Sequence, residues 1–193
     1  MDTLEQVLPD EAATSAWAAC LARALAAEPL AEQAFVVHLS GDLGAGKTAL
    51  ARAILRHLGF QGAVKSPTFT LVEPYNLPKF AVYHFDLYRF STSDQWFDAG
   101  FDDILASPGL VLIEWPEKAA GALAGPDLLV RLVATGEADE RCLQVRAFSE
   151  GGRRCLSRLG CADEPAAGTS APARPTCGPS RNPTASAPPD ASC

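Results

Sequence analysis

Three observations predict that this 193-residue chain folds as a three-layer α/β domain around a mostly parallel central sheet. Short continuous apolar or β-branched runs recur along it, as strands buried on both faces require. Helical patterns lie between those runs. One run, Phe35–Leu39, leads straight into a glycine-rich turn and an Ala/Leu-rich helix, so that FVVHLSGDLGAGKTALARAIL reads as strand, loop and helix.

The elements follow in order. Residues 10–28 form a helix, with Asp10 and Glu11 suiting its first turn and Trp17, Cys20, Leu21, Ala24 and Leu25 falling on one face. Phe35–Leu39 is the first strand and Lys47–Leu58 a helix that stops near Gly59. Further strands are expected at Thr68–Val72, Phe80–Leu87, Leu110–Glu114, Leu128–Val133 and Cys142–Phe148, with helical stretches at 94–106 and 117–123. Arg153–Leu159 closes the domain as a helix, with Leu156 and Leu159 on one side. After Gly160 the apolar period disappears. Seven of the fifteen prolines fall in residues 161–193, among many Ala, Ser and Thr, and the expectation is a disordered tail behind a domain of residues 1–160.

Composition removes some function classes. Apolar residues make up 48% of the chain, enough for a real core, and the net charge is −7. Up to Ser149 there are 11 Lys/Arg against 19 Asp/Glu, which disfavours direct, charge-driven binding of RNA or DNA. The opening MDTLEQVLPDEAAT lacks the basic and apolar regions of a signal peptide, and no apolar run approaches a membrane span. A cytoplasmic location is expected. The six cysteines form no CxxC pair and have no histidines at zinc spacing, so they read as unpaired thiols.

The chemistry centres on Gly41-Asp42-Leu43-Gly44-Ala45-Gly46-Lys47-Thr48, which fits GxxxxGK[ST]. Glycines let successive backbone N–H groups turn inward around an anion, and the following helix adds its positive N-terminal end. Lys47 is placed for the β- and γ-phosphates and the Thr48 hydroxyl for Mg²⁺. Such a loop needs an acid at the end of a buried strand. Asp86 and Glu114 each close one, and spacing does not rank them. In Lys65-Ser66-Pro67-Thr68-Phe69-Thr70, the Ser66 and Thr68 hydroxyls could face a γ-phosphate or a water, or the segment is simply a strand entry. His84 alternates with Phe85 and points to the other sheet face, where a structural hydrogen bond is its expected task. His38 and His57 read as packed or surface histidines, and residues 94–103 as either a docking surface or a helix with buried aromatics.

Four ordered motifs, GDLGAGKT at 41–48, VKSPTFTLVEPY at 64–75, VYHFDLYR at 82–89 and EWPEK at 114–118, resemble the bacterial TsaE (YjeE) family over roughly residues 5–160. The resemblance implies a P-loop ATPase needed for threonylcarbamoyladenosine in tRNA, with ATP on residues 41–48. It implies Thr48 and Glu114 as the magnesium residues, Asp86 in a switch-like catalytic region and Thr68 in a segment resembling switch I. It further implies Trp115 as a hydrolysis or nucleotide contact, and Glu11 near the base. The implied partner is a TsaD–TsaB transferase complex that ATP hydrolysis resets, with tRNA met only indirectly and no membrane. Two departures stand out. Ser93–Asp98 replaces a Glu-rich run, and Gly136 is followed by Glu137 where the family tends to have an arginine, leaving Arg141 as the nearest candidate.

Other readings are weaker on residue grounds. Between Arg89 and Arg131, where a small-molecule kinase would carry lid arginines, Lys118 is the only cation. No NKxD-like guanine reader is present for a GTPase. A nucleotide-dependent switch with little turnover of its own stays open.

Overall fold

The computed structural model describes residues 2–136 and 139–160, so the expected tail at 161–193 lies outside the described residues. The elements are β1 (Thr3–Leu8), α1 (Glu11–Ala26), β2 (Ala34–Ser40), α2 (Lys47–His57), β3 (Val72–Asn76), β4 (Ala81–Asp86), α3 (Gln95–Asp98), α4 (Asp102–Ala106), β5 (Gly109–Glu114), β6 (Leu128–Ala134), β7 (Arg141–Ala147) and α5 (Glu150–Gly160), with a 3₁₀ turn at Pro116–Ala119 before β6.

The seven strands form one sheet in the order β1-β7-β6-β2-β5-β4-β3. Its centre is parallel: β2 pairs with β5 and with β6, and β4 pairs with β5. Both edges are antiparallel, β3 against β4 on one side and β1 against β7 against β6 on the other. β2, the strand before the glycine loop, is the second strand rather than the first. β1 carries Glu5 and Gln6 amid few apolar residues, too weak an alternation to read as a strand. Its pairing with β7, far along the chain, makes it one.

Side-chain alternation splits the core into two. Leu110 and Leu112 of β5 face a cluster with Trp17, Leu21 and Leu25 of α1, Leu50 and Ile54 of α2, and Leu156 of α5. Val111 and Ile113 face the opposite cluster with Phe85, Trp96 and Phe101. The long helices thus cover one face and the short ones part of the other, giving the three layers. α1 starts where Asp10 accepts a hydrogen bond from Ala13 N at 2.7 Å, capping an otherwise orphan amide.

Several boundaries differ from expectation, each for a local reason. Residues 68–71 form a turn, with Leu71 N bonded to Pro67 O at 2.7 Å and Leu71 at φ 64°, so β3 begins at Val72. Pro74 is tolerated because β3 is an edge strand. The stretch 94–106 breaks into α3 and α4 at Gly100, which sits at φ 68°. There Trp96 is fully buried, its Nε1 donating to Asp102 Oδ1 at 2.9 Å, and Phe101 packs against it. Of the two readings of 94–103, buried aromatics describe Trp96 and Phe101, while Phe97 is half exposed. Cys20 and Cys155 are free thiols as expected, whereas Cys142 is disulfide-bonded. Sequence spacing alone does not show which side chains the fold brings within bonding reach.

Candidate functional site

The site lies at the C-terminal ends of the parallel strands. β2 ends at Ser40 and the chain turns through Gly41, Gly44 and Gly46, all at positive φ. Gly41 is the residue that geometry fixes most firmly, since a Cβ there would sit 2.2 Å from Leu132 O of β6. Gly46 at φ 103° then caps α2. At Gly44 and Gly46 the turn is open, and an added Cβ would meet nothing within 4 Å.

Lys47 is nearly buried, 4% exposed. Its Nζ donates to the Gly41 and Asp42 carbonyls at 2.7 and 2.8 Å and lies 3.6 Å from the centroid of the Trp115 ring. Burial lowers its pKa, opposed by the nearby carboxylates of Glu114, Glu117, Asp86 and Asp42. Trp115 is held over it by a backbone turn at φ 59°, an uncommon conformation for a bulky side chain. The Tyr88 ring packs tilted against Trp115, with centroids 5.0 Å apart, and widens this apolar rim.

Two carboxylates face the loop side by side, because Asp86 and Glu114 are register partners at the ends of β4 and β5. Both are buried. Glu114 Oε2 accepts from the Thr48 hydroxyl at 2.9 Å, and its Oε1 is 2.8 Å from His84 Nε2. Asp86 Oδ2 accepts from the Thr68 hydroxyl at 2.7 Å, and Oδ1 accepts from Tyr88 N at 3.1 Å. Ser66 bonds Thr68 in turn at 2.8 Å. The two acids are therefore not rivals. Glu114 serves the loop and Asp86 serves the 66–68 segment.

A cavity of about 360 Å³ joins these groups, lined by Leu43, Gly44, Gly46, Lys47, Thr48, Ala49, Thr68, Asp86, Tyr88, Glu114 and Trp115. A neighbouring cavity of about 240 Å³ on the far side of Ala45 and Gly46 holds Glu11, Thr14, Leu132, Asp139 and Arg141. Arg141 Nε donates to Ala45 O at 3.2 Å, tying β7 to the loop. The structure thus brings Thr68, Asp86, Glu114, Trp115, Leu43, Gly44, Gly46, Lys47 and Thr48 to one cavity, and Glu11 and Ala45 to the adjoining one. Gly41 and Asp42 stand behind the loop, their carbonyls turned to Lys47.

Sequence reasoning left out Tyr88 and gave His84 no part in the site. The signal for His84 was present: it sits two residues before Asp86, so strand alternation puts both on the loop's side of the sheet. Tyr88 falls within the 82–89 motif, but it lies beyond the end of β4, so strand alternation could not place it at the site.

The donor set can be judged by its chemistry. Among the described residues, no group of three or more His, Cys, Asp or Glu could hold a metal ion. One hydroxyl and two carboxylates beside an open glycine turn suit Mg²⁺, a hard ion that takes oxygen ligands and keeps several waters. A soft or protein-caged metal does not fit.

Fold and site together define an α/β protein built around a strand–glycine loop–helix unit, with two strand-end carboxylates facing the loop. The family model described as "Threonylcarbamoyl adenosine biosynthesis protein TsaE" matches residues 8–143. The chain is 43% identical over 132 residues to the tRNA threonylcarbamoyladenosine biosynthesis protein TsaE of Haemophilus influenzae, covering 68% of this chain and 83% of that protein. It is 40% identical over 123 residues to the protein of the same name from Synechocystis, covering 61% and 73%. The crystal structure of YdiB from Bacillus subtilis superposes with a TM-score of 0.68 at 28% identity, covering 84% of this chain and 97% of that one. The chain belongs to the TsaE family, which acts in tRNA threonylcarbamoyladenosine biosynthesis.

Proposed function

We propose that the protein binds ATP with Mg²⁺ on residues 41–48, hydrolyses it slowly, and thereby resets a TsaD–TsaB-type transferase complex between rounds of tRNA modification. One observation carries the reading: Lys47, Thr48, Asp86, Glu114 and Thr68 line a single cavity beside an open glycine turn.

The roles follow from the geometry. The backbone amides of the turn and the start of α2 favour an anion. Lys47 supplies a buried positive charge beside it, one that the nearby carboxylates favour and that a bound phosphate would favour further. Thr48 and Glu114, already joined, would hold Mg²⁺, whose bound chemistry is to neutralise charge on the β- and γ-phosphate oxygens. Asp86 holds the Thr68 hydroxyl, and the pair is placed to orient a water at the far wall of the cavity. Trp115 and Tyr88 exclude bulk water from the rim. Glu11 and Arg141, beyond the loop, flank the space for the nucleoside.

Hydrolysis in isolation is slow in this reading because no arginine lines the cavity among the described residues. Positioned positive charge is worth several powers of ten in phosphoryl transfer. The same lack weighs against a small-molecule kinase. A partner that orders the site would supply what is missing. The test is ATP hydrolysis by the purified protein, alone and with TsaD–TsaB, scored beside tRNA modification over many turnovers. The expected result is stimulated hydrolysis with sustained modification. A fast rate alone, unchanged by the partners, would overturn the resetting role.

A further inference from the structure

We infer that His84 is a positioning residue for the metal side of the site: it holds Glu114 so that nucleotide affinity becomes coupled to Mg²⁺. His84 is fully buried in β4. Its Nε2 lies 2.8 Å from Glu114 Oε1, while Glu114 Oε2 takes the Thr48 hydroxyl. A carboxylate oxygen accepts, so Nε2 carries the hydrogen and donates. Nδ1 has no partner. The ring therefore enters the hydrogen-bond network through one atom, and that atom fixes one oxygen of Glu114.

This matters because a carboxylate on two independent donors cannot rotate. One oxygen is pinned from beneath by the sheet and the other by the first turn of α2. Groups that orient a metal ligand typically contribute about 10–100-fold in metal affinity. A hydrogen bond by itself would suit a merely structural histidine too, but a buried ring with an orphan nitrogen costs stability. His84 is thus better explained by what it does to Glu114 than by its contribution to the core.

The inference rests on the ATP–Mg²⁺ reading above and is tested without turnover. ADP binding is measured by calorimetry with and without Mg²⁺ on the full chain, for the native protein and for His84→Leu, His84→Gln and His84→Asn. Gln reaches with an amide N–H about as far as Nε2, whereas Asn places its amide near Nδ1. The expected result is that Mg²⁺ tightens ADP binding to the native protein, and that His84→Leu and His84→Asn lose about tenfold or more of that tightening. Affinity without Mg²⁺ stays unchanged, and His84→Gln restores the coupling. Equal tightening in native protein and His84→Leu would overturn the inference, as would an equal loss with and without Mg²⁺. If His84→Leu does not fold, the Gln and Asn variants still decide: indistinguishable coupling in the two overturns it. Failure of the native protein to bind ADP at all would instead sink the nucleotide reading.

Discussion

Lys47 shows how a buried charge is satisfied. In the structure its ammonium is satisfied by the Gly41 and Asp42 carbonyls and by the Trp115 face. Lys47→Ala removes the only cation among the described residues lining the cavity and should lower ATP affinity at least tenfold, read by calorimetry. Glu114→Ala acts differently: ATP binding without Mg²⁺ should persist, while the tightening by Mg²⁺ is lost and hydrolysis measured with TsaD–TsaB falls by about 10²-fold or more, because Glu114 holds Thr48 rather than the loop backbone. Normal hydrolysis by Glu114→Ala beside a dead Asp86→Ala would reverse the two roles. Away from the site, His38 is buried with no partner for Nε2, and desolvation lowers its pKa from 6.5 to about 4. Its folded state binds a proton less readily than the unfolded chain, so its contribution is complete above pH 6.5 and is lost as pH falls toward 4. Urea midpoints across that range should fall less steeply for His38→Leu than for the native protein. Parallel curves would refute it.

The loop and the α3–α4 segment set the scale of elements. Gly41 allows the turn to pass against β6, and Gly41→Ala would put a Cβ 2.2 Å from Leu132 O at a φ that alanine avoids. The variant should lose several degrees of melting temperature together with ATP binding, read by thermal shift with and without ATP. Trp96 anchors the short helices to the sheet through Phe85 and Phe101, with ring centroids 5.3 Å away in both cases. Trp96→Ala should cost about 3–5 kcal/mol by denaturant titration, since it empties a fully buried site and leaves Asp102 unpaired. A loss below about 1 kcal/mol would mean that α3 is not part of the core. Sequence periodicity predicted a helical stretch here but could not place the break at Gly100, which follows from packing both ends against one face.

At the scale of the whole molecule, charge and closure govern behaviour. With a net charge of −7, direct tRNA binding should be weak at physiological salt, and tRNA alone should leave ATP hydrolysis unchanged. Stimulation by tRNA without protein partners would contradict this. Among the described residues, no helix is long and apolar enough to cross a membrane. The end of the described chain is fastened by Glu28, which follows α1 and receives Arg154 at 2.6 Å and also Arg158, both of α5. Glu28 is buried while both arginines remain about half exposed, so the cluster fixes where α5 docks.

Some of this was written in the chain alone. The α/β class, the glycine loop between a buried strand and a helix, and the acids closing two strands are properties of local spacing, and local spacing survives folding. Whether Asp86 or Glu114 serves the loop was not local. The β4–β5 register sets them side by side, and the depth of α2 decides which one Thr48 reaches. The antiparallel edges, the pairing of β1 with β7, the contact of Trp115 with Tyr88 and the grip of His84 on Glu114 likewise depend on segments far apart in sequence. Residue types determine what chemistry a chain can carry, because donors, charges and backbone freedom belong to the residues themselves. Only the tertiary structure decides which of them meet, because burial and register act on distances that no single stretch of sequence contains.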